Sequence, residues 1–193
     1  MRKIIAVENM TLDGVMQAPG RPDEDDRDGF DRGGWAGAYN DEVMGRTMAG
    51  HMKAETELLF GRRTYEDFYS VWPNRTNNPF TDVLNNTHKY VASTTLTEPL
   101  PWQNSTLLQG DAVEAVTALR HQPGPDLVIL GCGDLVQSLR HHNLIDEYLL
   151  LIFPIILGKG RRLFPDGAAA ANLRLVDSIA TTTGVIIATY QTA

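Results

Sequence analysis

The sequence predicts an α/β protein: a mostly parallel, eight-stranded sheet flanked by about four helices and closed by an antiparallel hairpin. Three observations carry that expectation. Short apolar, β-branched runs alternate with segments of helical spacing, the order that parallel strands with helical crossovers require. Two of the runs, "DLVILG" and "YLLLIF", are apolar almost throughout, as strands covered on both faces are. The last two, "LRLVDSIAT" and "GVIIATYQT", have no helix between them and so pair as a hairpin.

"KIIAVENM" is the first strand, apolar and β-branched. Thr11 to Gly37 is then a long loop rich in Gly, Asp and Pro, of a length that compact domains use for lids and binding loops. Residues 40–56 read as a helix, with Val43, Met44, Thr47, Met48, His51 and Met52 at helical spacing. Asn40 suits its N-cap, and Asp41 and Glu42 its first turn. "TELLFG" is the second strand and "YEDFYSVW" the second helix, followed by a polar stretch from Pro73 to Thr87 read as a loop. "HKYVAST" and "STLLQG" are the third and fourth strands. Asp111 with Glu114 forms a capping-box-like start for the helix "AVEAVTALRH". "DLVILG" is the fifth strand, Asp134 with Gln137 caps the helix "LVQSLRHH", and "DEYLLLIFPIIL" is a long sixth strand. No internal repeat or interdomain linker interrupts this order, so residues 1–193 are expected to form a single domain.

Composition narrows the function. A formal net charge of -7 and a pI near 5.1 argue against a general nucleic-acid or membrane binder, which needs a basic surface. The one cysteine, Cys132, permits no intrachain disulfide and fits a reducing compartment. The start "MRKIIAVENM" has too short an apolar run for a signal peptide, and the longest apolar run, Tyr148 to Leu157, is well below a membrane span of about 18 residues. A cytoplasmic location is expected.

Against that acidic background Arg62 and Arg63 stand out. They follow an apolar run in "LLFGRRTYEDF", where a strand ends in Gly61 and a helix begins near Thr64. "LVILGCGDLVQSL" repeats the pattern with Gly131, Cys132, Gly133, Asp134, Leu135 and Val136. Free N–H groups at a helix start favour anions, and glycine lets backbone approach a phosphate closely. The same pattern serves equally as a plain strand-to-helix turn. The dinucleotide fingerprint G-x-G-x-x-G would need glycine where this chain has Val136. A third strand end, "YVAST", offers Ser93 and Thr94. With the two arginines these hydroxyls could hold a 2′-phosphate, since guanidinium groups bind phosphate through two parallel hydrogen bonds.

Taken together, "IIAVENMTLDGVMQAPG", "LLFGRRTYEDF", the long segment from "VILGCGDLV" to "GKGRRLF" and the closing hairpin resemble the dihydrofolate reductase-like superfamily. Within it the chain is similar to stand-alone relatives of the riboflavin-biosynthesis pyrimidine reductase domain, over most of its length and in the expected order. The resemblance implies NADPH as cofactor. Gly61, Arg62, Arg63 and Thr64 would meet the adenosine-side phosphates, Ser93 and Thr94 the 2′-phosphate, and Gly131 to Val136 the pyrophosphate. Val7, Met16 and Gln17 would lie near the nicotinamide, and Trp35, Phe153 and Pro154 would wall the substrate. Asp41 is the nearest match to the proton-donating carboxylate of folate reductases, although a carboxylate at a helix start also serves the helix itself. The Pro-Trp pair of the folate-enzyme loop is absent after "VMQAPG", which points away from folate reduction.

The resemblance thus implies an NADPH-dependent reductase of a small heterocyclic or conjugated substrate, with Asp41 or water as proton source. A homodimer is expected from the same resemblance and from the apolar strand around Leu149 to Leu157. Two rivals remain: a non-catalytic NADP(H)-binding sensor on the same fold, and a nucleotide-phosphate enzyme, which lacks a G-x-x-x-x-G-K-[ST] motif here. Neither "DEDDRD" (Asp23 to Asp28) nor the adjacent His141 and His142 has metal-ligand spacing, so no metal is expected. Lys159, Arg161 and Arg162 could form an anion site or a solvated loop.

Overall fold

A computed structural model describes residues 1–52 and 55–193. Its eight strands are β1 (Ile4–Thr11), β2 (Thr56–Gly61), β3 (Lys89–Ala92), β4 (Ser105–Leu108), β5 (Asp126–Leu130), β6 (Glu147–Phe153), β7 (Leu173–Ala180) and β8 (Ile186–Thr192). They form one sheet in the order β4-β3-β2-β5-β1-β6-β8-β7. β3 and β5 flank β2 in parallel and β4 runs parallel to β3, while β6, β8 and β7 pair antiparallel. The helices are α1 (Glu42–Met52), α2 (Arg62–Val71), α3 (Pro79–Asn86), α4 (Ala112–Arg120) and α5 (Gly133–His141). The expectation of a mostly parallel sheet closed by an antiparallel hairpin holds. The helix reading through Lys53 and Ala54 lies outside the described residues.

Contacts divide the chain into two compact units: residues 1–5 with 54–145, and residues 6–53 with 146–193. β1 supplies its first residues to the former and the rest to the latter.

In the first unit α2 and α5 pack on β2, and α4 packs on β3 and β4. The buried faces are those the spacing requires: Val116 and Leu119 on α4, and Leu135, Val136 and Leu139 on α5. Each such side chain contributes roughly 1.5–3 kcal/mol through burial. α3 corrects the reading of Pro73 to Thr87 as a loop. Asn78 caps it by accepting from the Phe80 N–H, Pro79 stands at its first position, and Thr81 and Leu84 face inward. Two turns with two buried positions are too short for hydrophobic periodicity to register.

In the second unit α1 covers a core of Val15, Phe30, Trp35, Met44, Leu149, Leu151, Phe153 and Ile187, among others. Asp41, not Asn40, caps α1: its Oδ1 accepts from the Met44 N–H at 2.8 Å. β6 is buried from Tyr148 to Leu151 and stops at Phe153, because Pro154 cannot continue the ladder. Those leucines are consumed by the interior of the chain and offer no surface for pairing with a second copy. The exposed apolar residues of this unit include Ile156, just beyond β6, and Leu175, Val176, Ile179 and Ile186 on the hairpin.

Candidate functional site

The carboxyl ends of the parallel strands in the first unit finish level with one another. Gly61 at the end of β2 stands beside Ala92 at the end of β3, and Ala92 beside Leu108 of β4. Leu59 pairs with Ile129 of β5, which brings the turn after β5 beside Gly61. The Gly61 N–H donates to Cys132 Sγ at 3.3 Å, and Thr64 Oγ1 to the Gly131 carbonyl at 3.4 Å. Gly131 has φ +66°, and a Cβ there would meet nothing within 4 Å. The expected clustering of Gly61 to Thr64, Ser93 with Thr94, and Gly131 to Asp134 is therefore present as three adjacent turns.

Their helix starts differ from the others in this unit. α3 is capped by Asn78, and α4 by Asp111, whose Oδ1 accepts from the Val113 and Glu114 N–H groups. α2 begins after Gly61 and α5 after Cys132, and neither residue places a side-chain cap on its helix. Two helix N-termini are thus left for an external acceptor, side by side. Arg63 is exposed and enters no ion pair among the described residues. Arg62 is held by Glu66 one turn along, at 2.9 Å. Ser93 Oγ accepts from the Thr95 and Leu96 N–H groups, at 3.1 and 3.0 Å, and lies 3.4 Å from Thr95 Oγ1. Thr94 is exposed. Asp134 adds a negative charge in the first turn of α5, so compensation for an anion falls to the arginines of α2. The side chains of Cys132, Leu135 and Val136 are buried, which leaves their main chain as the part able to meet a ligand.

In the second unit the loop after β1 is fixed by buried polar contacts. Gln17 is only 3% exposed. Its amide donates to the Arg27 carbonyl at 3.0 Å and accepts from the Arg161 N–H at 3.0 Å, while its own carbonyl accepts from Trp35 Nε1 at 2.8 Å. Its side chain is thereby occupied in holding the loop. Asp13 receives the Thr11 hydroxyl and the Leu157 and Gly158 N–H groups. Burial alone would raise its pKa, but these donors hold it below the usual carboxylate range. Gly160 is required where the basic loop presses on this one, since a Cβ there would come within 2.6 Å of Val15 and 2.8 Å of Phe30.

The charges of this region pair locally, within the acidic loop and between that loop and the basic one. Lys159 Nζ lies 2.7 Å from Asp31 and Arg161 Nη1 3.6 Å from Asp28, while Asp25 pairs with Arg27. Among the described residues no group of three or more His, Cys, Asp or Glu side chains is arranged to hold a metal ion.

The substrate-side residues separate by exposure. Phe153 and Trp35 are buried and meet edge-on, with ring centroids 5.1 Å apart. Pro154 is exposed, and Val7 and Met16 are half-buried. Asp41 Oδ2 accepts from Thr182 Oγ1 at 2.6 Å and from the Thr183 N–H at 3.1 Å. The Met44 N–H and the Thr182 hydroxyl hold its carboxyl far below the usual carboxylate range. Sequence reasoning did not single out Tyr39, which packs edge-on against Phe153 at 5.7 Å, or the buried carboxylate of Glu8. Tyr39 falls in a Gly- and Ala-rich stretch with no periodic signal, and Glu8 is one acidic residue in an apolar strand.

Comparison with known proteins bears on the fold and the family of this chain. The sequence profile of the RibD C-terminal domain matches residues 2–187. The uncharacterised protein YyaP of Bacillus subtilis (strain 168) is 29% identical over 140 residues, covering 69% of this chain and 72% of the relative. Among solved structures, a putative riboflavin biosynthesis protein from Shewanella sp. PV-4 superposes with TM-score 0.68 at 21% identity, over 99% of each chain. A pyrimidine reductase-like protein from Corynebacterium diphtheriae gives 0.66 at 13% identity, over 100% of this chain and 92% of the other. Dihydrofolate reductase from Enterococcus faecalis, complexed with NADP(H) and RAB-propyl, gives 0.61 at 14% identity, over 98% and 96%. These likenesses establish a dihydrofolate reductase-like fold. No helix among the described residues is long and apolar enough to cross a membrane. With its profile matched over nearly the whole length and its sheet ordered as above, the chain belongs to the RibD C-terminal domain family.

Proposed function

We propose that this protein is an NADPH-dependent reductase of a small heterocyclic or conjugated substrate, acting in the reducing environment of the cytoplasm. The observation that carries the reading is the pair of adjacent, uncapped helix N-termini beside Arg62 and Arg63. A dinucleotide's phosphates are the anions such a surface takes, through main-chain N–H groups and guanidinium donors. Ser93 and Thr94, level with those turns, are hydroxyl donors for a 2′-phosphate. The structural neighbours support the rest of the reading: two carry reductase names, and one of those is complexed with NADP(H).

Bound NADPH would supply a hydride; this chain's residues bind and orient it and the substrate. The Gly61 and Gly131 turns seat phosphate, Arg63 is the stronger 2′-phosphate partner because Glu66 already holds Arg62, and Met16 and Val7 are the apolar neighbours of the nicotinamide. Trp35 and Phe153 support the substrate wall from behind, with Pro154 at its exposed border. Asp41 holds α1 to the β7–β8 turn as an anion, so the proton comes from water.

Calorimetric titration with NADPH and NADH, followed by NADPH oxidation in the presence of conjugated carbonyl and heterocyclic compounds, tests this. Preferential NADPH binding with turnover of one of those classes is expected. Failure to bind NADPH overturns the reading; tight binding with no turnover converts it to the cofactor-binding sensor.

A further inference from the structure

The register of β6, β8 and β7 sorts their side chains onto two faces, because residues paired across antiparallel strands point the same way. One face carries Leu149, Leu151 and Ile187, which belong to the core that α1 covers. All three charged residues of these strands, Glu147, Arg174 and Asp177, lie on that same face. The opposite face runs through Leu150, Ile152, Ala188, Ile186, Ser178 and Leu175, and every residue on it is aliphatic, a hydroxyl or a phenol. A hairpin with one solvated face alternates apolar inward and polar outward. Here the face turned away from the core carries no charge at all. Its β6 side is closed, with Leu150 and Ala188 buried. Its β7 side is open: Leu175 is 51% and Ile186 45% exposed, and seven of the eight residues of β7 are exposed. Val176, at the bulge beside Leu175, is exposed as well.

We propose that a second copy of this chain packs on this uncharged face, hairpin against hairpin about a two-fold axis. Charge selects that occupant. Each chain carries a formal net charge of -7, so two copies repel on most approaches and meet without opposed like charges where both faces are neutral. Homodimer interfaces are also the more apolar kind, with charged residues depleted at their centre. A two-fold axis sets Leu175 and Ile186 of each copy against those of the other, the self-complementary contact that a closed dimer uses. In the sheet plane the face measures about 25 Å by 14 Å, and the relief of its side chains brings its accessible area to the order of the 800 Å² that each partner of a stable dimer buries. The free edge of β7 stays outside this contact, and so do Arg174 and Asp177. The inference does not depend on the reductase reading.

The test is the mass of the full chain at micromolar concentrations, by sedimentation, in wild type, a Leu175→Lys/Ile186→Lys variant and Asp177→Lys. Wild type should sediment as two chains of 21.4 kDa each. The double variant sets like charges against one another across the two-fold axis and should weaken the dimer by about a hundredfold or more. Asp177→Lys adds the same positive charge on the other face of the same strand and should leave the dimer intact. A second measurement serves where the double variant fails to fold. Ser178→Cys places a small thiol on the proposed contact, and its alkylation should slow as protein concentration rises through the dimerisation range, while the thiol of Asp177→Cys should react at one rate throughout. Monomeric wild type, or a folded double variant that sediments as wild type does, overturns the inference. So does dissociation by Asp177→Lys, which would move the contact to the edge or the core-side face of β7, and so does a Ser178→Cys alkylation rate indifferent to concentration.

Discussion

Arg62 and Arg63 are neighbours in sequence but not in circumstance. Arg62 is already paired one helical turn along with Glu66, while Arg63 points outward without an ionic partner among the described residues. A charge-assisted hydrogen bond contributes roughly 1.5–3 kcal/mol, and each 1.4 kcal/mol is tenfold in affinity. Arg63→Ala should therefore weaken NADPH binding by about ten- to a hundredfold, with NADH hardly affected, and Arg62→Ala should cost less. Equal losses for both cofactors, or none, would show that no 2′-phosphate is read here. Asp41 presents the opposite case, a carboxylate that the Met44 N–H and the Thr182 and Thr183 donors hold ionised. Asp41→Asn should lower the melting temperature by a few degrees through loss of a cap, and leave the pH profile of NADPH oxidation where it was. A profile whose acid limb disappears in this variant would return Asp41 to the role of proton donor.

At the scale of elements, α3 ends on a buried lysine. Lys89 Nζ donates to the carbonyls of Leu84 at 2.7 Å and Thr87 at 2.6 Å, and stands 4.6 Å from the centre of the Trp102 ring. Burial lowers its pKa to about 8 from 10.5. Between those values the unfolded chain holds a proton that the folded chain does not, so stability rises with pH across that window. Below about 8 both states are protonated and the slope vanishes. The difference in unfolding free energy between wild type and Lys89→Met should accordingly grow from about pH 8 to about pH 10.5, measured by denaturant titration at each pH. A constant difference would mean the carbonyls keep the ammonium charged throughout. Asn78→Ala should cost about 1 kcal/mol, as the loss of a side-chain cap does. The burial of Lys89 does not show in the amino-acid order. The strands and the longer helices were legible because "TELLFG", "DLVILG" and "AVEAVTALRH" carry their periodicity over enough residues to be unambiguous. α3 was not, because its signal is a cap and a proline rather than a repeat. The same division runs through the candidate site: glycines and arginines at strand ends announce phosphate-side turns locally, whereas Tyr39 and the loop-holding role of Gln17 depend on partners far along the chain.

For the whole molecule, a homodimer remains the expected assembly, and light scattering at micromolar concentrations should give about 43 kDa, twice the chain mass of 21.4 kDa. A mass near that of one chain would sink it. The absence of side-chain caps on α2 and α5 has a thermodynamic corollary. A ligand that completes those helix ends is a component of the folded state, and mass action then couples its concentration to unfolding: at a hundredfold excess over Kd the gain is about 2.7 kcal/mol. Purified without nucleotide, the protein should melt early and over a range that shifts with the buffer anion. Inorganic phosphate should raise the melting temperature more in wild type than in an Arg62→Ala/Arg63→Ala variant, which separates occupancy of the helix ends from the general salting effect shared by both. On the NADPH reading, the folded fraction of the chain would rise and fall with the local supply of that dinucleotide.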